Sequence, residues 1–154
     1  MPKASVKRLI ECKKKYLIDL VLDIEKYPEF VPFCFDAKIH ENKNEGDLTR
    51  IIADLTIGKG LFKDTYKSDV VFNKKKDSIF VKNIKGPLDH LSNNWKFTDK
   101  KNGITEVTFD IDFEIKNKFL NSLMVVSFQF GLEKIADAFQ KRAEELFRNS
   151  KNQI

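Results

Sequence analysis

The sequence predicts an α+β domain in which one curved antiparallel sheet holds a long C-terminal helix in its concavity. Three observations carry this expectation. Residues 35 to 115 alternate apolar with polar at a period of two, and turn signals cut that region into about six strands. Beyond Asn117 the spacing becomes helical and stays so. A strand and two short helices come first, and a single sheet with a helix packed on one face is the economical way to bury that order of elements.

Taken in order, residues 4 to 10 read as a strand. From Lys13 the residues Tyr16, Leu17, Leu20, Val21 and Ile24 recur at helical spacing. The run Tyr27-Pro28-Glu29-Phe30-Val31-Pro32-Phe33 breaks that helix. Pro28 suits the first turn of a second short helix and Pro32 limits its length. Phe35, Ala37 and Ile39 then alternate with Asp36, Lys38 and His40 up to a turn at Asn42 to Gly46. Ile51, Ala53, Leu55 and Ile57 continue the period as far as Gly58-Lys59-Gly60, and Phe62, Tyr66, Val70 and Phe72 resume it. After a lysine turn come Ile79 to Ile84, a corner at Gly86-Pro87, and Leu91, Trp95 and Phe97 on one face. The cleanest strand sets Val107, Phe109, Ile111, Phe113 and Ile115 against Thr108, Asp110, Asp112 and Glu114. Phe119, Leu120, Leu123, Met124, Val126, Phe128 and Phe130, then Leu132, Ile135, Ala136, Phe139, Ala143, Leu146 and Phe147, form the long helix, which tolerates Gly131.

The 154 residues, 42% hydrophobic and 33% charged, fit a single domain spanning 1–154. No apolar run is long enough for a membrane helix, and no secretory signal is present, so a soluble intracellular protein is expected. Cys12 and Cys34 have no spacing that asks for a bridge and read as free thiols. Of the 28 basic residues only Arg8, Arg50, Arg142 and Arg148 are arginine, the residue that reads bases bidentately, so no DNA partner is expected. The basic N-terminal stretch suits an anionic membrane surface or RNA, and Lys74-Lys75-Lys76 reads as a solvated turn.

No catalytic constellation stands out. Gly58-Lys59-Gly60 lacks the remainder of a phosphate loop and reads as a bend or bulge. There is no nucleophile elbow, HExxH or CxxC, and His40 and His90 are the only histidines. Asp110, Asp112 and Glu114 share a solvent-facing strand surface, so no metal or cofactor is expected. What remains is the aromatic content: fourteen Phe, three Tyr and Trp95. Those turned toward the concavity, Tyr66, Trp95, Phe109 and Phe113 from strands and Phe130 and Phe139 from the helix, are the candidate lining of an apolar cavity, with Tyr66 and Asn93 as its polar groups. The residues alone leave a cavity and a solid aromatic core equally open.

Several segments resemble one family. Asp23 to Cys34 is similar to the D-x-x-x-Y-P-x-F-x-P-x-C segment of the coenzyme Q-binding START-domain family, a polyketide cyclase/dehydrase-like group that includes the bacterial ribosome-association toxin. The likeness returns at Gly86-Pro87-Leu88 through Leu91, at Trp95 to Thr98, at Asp110 to Phe119 and at Ala138 to Ala143. Leu88 stands where the family commonly has a large aromatic, and Ile135-Ala136 where it often has Met-Val; both keep the positions apolar. The resemblance implies a helix-grip fold of seven antiparallel strands around the C-terminal helix. It also implies a non-enzymatic carrier or chaperone for ubiquinone or a similar polyprenyl lipid, serving respiration from the cytoplasm and the periphery of the inner membrane. It equally permits an interaction protein that binds the large ribosomal subunit and blocks subunit joining, and, third, a cyclase-like enzyme. A polyprenyl tail is nearly insoluble, so a carrier must draw it from a bilayer. Tyr27, Phe30, Val31 and Phe33, held between prolines near the basic N-terminus, are the expected gate and membrane-touching face.

Overall fold

The structure, a computed structural model, describes residues 3–59, 62–85, 88–115 and 118–151, with side chains described except at 59, 62, 88, 89, 115, 118–128 and 148–151. Gly60, the Gly86-Pro87 corner and Asn117 lie outside these residues, as do the side chains of Leu88, Phe119, Leu120, Leu123, Met124, Val126 and Phe128. Seven strands, β1 (Lys3–Glu11), β2 (Cys34–Glu45), β3 (Leu48–Lys59), β4 (Phe62–Asn73), β5 (Ser78–Lys85), β6 (Leu88–Asp99) and β7 (Ile104–Ile115), form one antiparallel sheet. Their order is β1-β7-β6-β5-β4-β3-β2, so each neighbour is joined by a hairpin except β1, which pairs with β7 across the whole chain. Between β1 and β2 lie α1 (Lys14–Leu22) and a 3-10 helix (Ile24–Glu29); α2 (Lys118–Lys151) ends the fold.

The period-two pattern places one row of each strand inward. On β7 Thr105, Val107, Phe109 and Phe113 are buried while Asp110 and Glu114 are exposed. Val6, Phe109, Trp95 and Ile79 form a continuous row across four strands, set by the registers Val6↔Phe109, Trp95↔Phe109 and Ile79↔Trp95. Leu132, Phe139 and Ala143 of α2 close over this surface with Ile135, Ala136 and Phe147 beside them. Leu17, Ile18, Leu20 and Val21 of α1 and Ile24 complete the core.

Open sheets expose two edges; α2 covers that of β1, and the 3-10 helix is fastened to that of β2 near Ile39. Along β1, Gln129 and Gln140 of α2 donate their Nε2 hydrogens to the carbonyls of Ser5 (3.2 Å) and Leu9 (3.3 Å), and the Glu11 amide donates to Glu144 (3.1 Å). Arg8 adds an ion pair to Asp137 at 2.6 Å. Along β2, the Ile39 amide donates to Glu25 of the 3-10 helix at 3.0 Å.

Three expectations change. Pro28 lies near the end of the 3-10 helix rather than in its first turn, because that helix starts at Ile24, directly after α1. Phe130 does not line the concavity: it is 64% exposed, with the Lys134 ammonium 4.7 Å from its ring centre. At 100° per residue, nine residues turn a helix by half a revolution, which puts Phe130 opposite the buried Phe139. Finally, the basic N-terminal stretch is split: Lys3, opposite Asp112, lies toward the end of the sheet that holds Phe33, while Lys13 to Lys15 lie at the other end. The Gly58 amide donates to the Phe33 carbonyl (3.0 Å), which fixes Phe33 beside the far end of β3. Lys13 to Lys15 lie where β1 stops and β3 begins, so roughly 30 Å of strand separates them from Phe33.

One buried polar contact ties β7 to the start of α1. Thr105, 1% exposed, donates its hydroxyl to the Cys12 carbonyl at 2.7 Å. Thr105→Val keeps the shape and removes the donor, so urea unfolding should show a loss of about 1–3 kcal/mol. An unchanged midpoint would mean that water reaches that carbonyl.

Candidate ligand-binding site

Six rings converge where α2, the 3-10 helix and the middle of the sheet meet. Trp95 lies 4.3 Å from Phe109 and stacks on Phe97 at 6.3 Å. Phe139 descends from α2 between Trp95 (5.2 Å), Phe30 (5.2 Å) and Tyr27 (5.4 Å), each contact close to perpendicular. Edge-to-face geometry sets the positive rim of one ring against the negative face of the next and adds about 0.5–1.5 kcal/mol per pair beyond burial. Of the residues the sequence nominates as lining, Trp95, Phe109 and Phe139 are therefore in contact. Phe113 is buried on the same face farther along β7, and Tyr66 is buried on β4, two hairpins away.

The segment Tyr27 to Phe33 forms one wall. Tyr27, Phe30 and Val31 are half-buried against the core. Arg142 of α2 reaches across this wall, its guanidinium 5.3 Å from the Phe30 ring and 3.6 Å from Glu29. This latch and the Phe30–Phe139 contact join α2 to the 3-10 helix, so α2 is tethered to both edges of the sheet. Phe33 adopts φ +69°, a left-handed conformation that a bulky side chain occupies at a cost of roughly 1–2 kcal/mol. Strained residues of this kind concentrate at functional positions.

The polar chemistry of the concave side is sparse and neutral. The Tyr27 hydroxyl donates to the Val21 carbonyl. Burial pushes the phenols of Tyr27 and Tyr66 and the thiol of Cys34 above their ordinary values; Tyr66 and Cys34 raise Tyr27 further, and Cys34 raises Tyr66. Burial also raises Cys12, so neither thiol is a ready nucleophile. Asn93, on the concave row between Leu91 and Trp95, holds its Oδ1 buried and without a hydrogen-bond partner among the described residues. Both histidines face outward from the site. His40 bonds Asp54 at 2.7 Å, and His90 lies 3.9 Å from Asp112 on the convex face. Among the described residues no group of three metal-ligating side chains converges, and no helix is long and apolar enough to cross a membrane.

A sheet wrapped on a helix, with an aromatic concave face and few polar groups, is the helix-grip fold, and the fold by itself does not fix a function. Residues 18–140 match the family model described as polyketide cyclase / dehydrase and lipid transport, and the chain belongs to that family. It is 33% identical over 144 residues to the ribosome association toxin RatA of Rickettsia prowazekii, covering 92% of this chain and 95% of that protein. It is 31% identical over 135 residues to the mitochondrial coenzyme Q-binding protein COQ10 of Dictyostelium discoideum, covering 85% of this chain and 63% of that one. A START superfamily protein from Mycobacterium smegmatis has the same fold, with a TM-score of 0.80 at 18% identity over 94% of this chain and 98% of its own. The seven-stranded helix-grip expected from the sequence is thus the fold found.

Sequence reasoning missed the latch residues Glu29 and Arg142. They are 113 positions apart, and only the packing of α2 on the 3-10 helix brings them together. It also missed Phe33 as a strained position, for which the flanking Pro32 was the available signal.

Proposed function

We infer that this protein binds a hydrophobic lipid with a compact head, ubiquinone or a related polyprenyl quinone, between α2 and the concave sheet, and carries it without chemical change. The observation that carries this reading is the wall from Tyr27 to Phe33: aromatic, strained at Phe33, and held to α2 by a partly exposed ion pair, a cation–π contact and two ring contacts. The Dictyostelium relative, a coenzyme Q-binding protein, supports the ligand class. Buried thiols with raised pKa and outward-facing histidines favour binding over catalysis. A second reading, association with the large ribosomal subunit, is supported by the near full-length match to a ribosome association toxin.

The test is organic extraction of the purified protein followed by mass spectrometry. A stoichiometric quinone supports the first reading. A lipid-free protein that co-sediments with large ribosomal subunits replaces it with the second. Phe33→Gly sharpens the result. Glycine tolerates the left-handed conformation, so thermal stability should hold or rise while quinone uptake from liposomes falls. A variant that loses stability and keeps uptake removes Phe33 from the gate.

A further inference from the structure

The hairpin topology gathers four connections at one edge of the sheet: β1–α1, β2–β3, β4–β5 and β6–β7. Segments 11–15, 43–47, 74–77 and 99–102, which make them, hold nine lysines and five carboxylates. That surplus of four is nearly the whole net charge of +5. The carboxylates there are largely engaged. Lys14 bridges Asp77 (2.9 Å) and Asp99 (3.1 Å), pinning three connections together, and Lys75 pairs with Asp47 at 3.3 Å. The Lys74 amide donates to the Asp47 carbonyl (2.8 Å), joining the β2–β3 and β4–β5 turns. Lys13, Lys15, Lys74, Lys76 and Lys101 are exposed, and no ion pair among the described residues holds them.

We propose that this braced lysine edge is a docking surface for the phosphate backbone of structured RNA. Lysine acts as a point charge on phosphate and gains by releasing the counterions condensed there; with no arginine in these connections, the surface reads backbone rather than sequence. The edge lies at the opposite end of β3 from Phe33, so lysines seated on an anionic bilayer would hold the lipid entrance away from it. The choice of RNA over a membrane rests on that lipid reading. Such a surface would also serve ribosome association, and it requires only RNA.

The experiment measures binding of a fluorescent hairpin RNA across a salt series. The variant Lys13→Ala, Lys15→Ala, Lys74→Ala, Lys76→Ala is compared with a control losing the same charge elsewhere, Lys38→Ala, Lys82→Ala, Lys85→Ala, Lys141→Ala. The edge variant should bind roughly tenfold or more weakly, with a log–log salt slope shallower by about 3. The control should stay near wild type, and both should retain wild-type quinone extraction. Equal losses in the two variants would reduce the effect to net charge and overturn the proposal. So would edge-dependent binding to phosphatidylserine vesicles without RNA binding. If the fourfold variant misfolds, Lys74→Gln with Lys76→Gln gives the same comparison with a slope change of about 2.

Discussion

Replacing Phe139 by alanine should cost about 3–5 kcal/mol and lower Tm by on the order of 10 °C. The side chain is 5% exposed and is the common partner of Tyr27, Phe30 and Trp95. Alanine is the best helix former, so no loss arises from α2 itself. The deficit is packing: the transfer of a phenyl ring to water, the edge contacts, and the void left behind. Because Phe139 also holds the Tyr27–Phe33 wall against α2, the void should open toward the proposed entrance. A short-tailed ubiquinone added in excess should then restore part of the lost stability, since a ligand that binds only the folded state stabilises it by mass action. Urea melts with and without the quinone give both numbers. A loss below about 1 kcal/mol would mean that the rings stand apart in solution and that Phe139 faces an open cavity.

The same residue shows why some of this architecture was legible in the sequence and some was not. The strand pattern of β7 was readable because one face meets water, as Asp110 and Glu114 do, while Val107, Phe109 and Phe113 are buried in the core. Helical arithmetic likewise places Phe139 with Leu132 and Ala143, and applied strictly it would have excluded Phe130. The error came from treating an unbroken apolar stretch as one stripe, when a helix with residues on several faces can leave one of them in solvent. What no pattern announces is the long-range closure. Glu25 on the Ile39 amide, Gln140 on the Leu9 carbonyl and Arg142 on Glu29 are ordinary surface residue types, given a role only by folded proximity. Lys13–Lys15, the last part of the basic N-terminal stretch, lie away from the gate for the converse reason, since sequence neighbours diverge when a helix carries the chain along a sheet whose strands are 12 residues long.

Alkaline unfolding should be unusually steep, and its slope should report on the concave face. An unfolded chain ionises thiols near pH 8.5 and phenols near pH 10. In the fold, burial holds Cys12, Cys34, Tyr27 and Tyr66 neutral to higher pH. The unfolded state therefore releases protons first as pH rises. Stability from this source is fully present below the unfolded pKa values and is lost above them. Each buried phenol contributes a slope of up to about 1.4 kcal/mol per pH unit beyond pH 10, about 2.7 for the pair, and the thiols add loss in the same sense from a lower pH. Tyr66→Phe deletes one of these protons, so its ΔG-versus-pH curve should run with wild type below pH 9 and diverge upward above pH 10. Tyr27→Phe should show the same flattening from a lower starting stability, because it also gives up the hydrogen bond to Val21. Urea titrations at pH steps from 7 to 11 measure both. Parallel curves for Tyr66→Phe and wild type would place the Tyr66 hydroxyl in water, and the concave face beside β4 would then be a hydrated cavity rather than an apolar one.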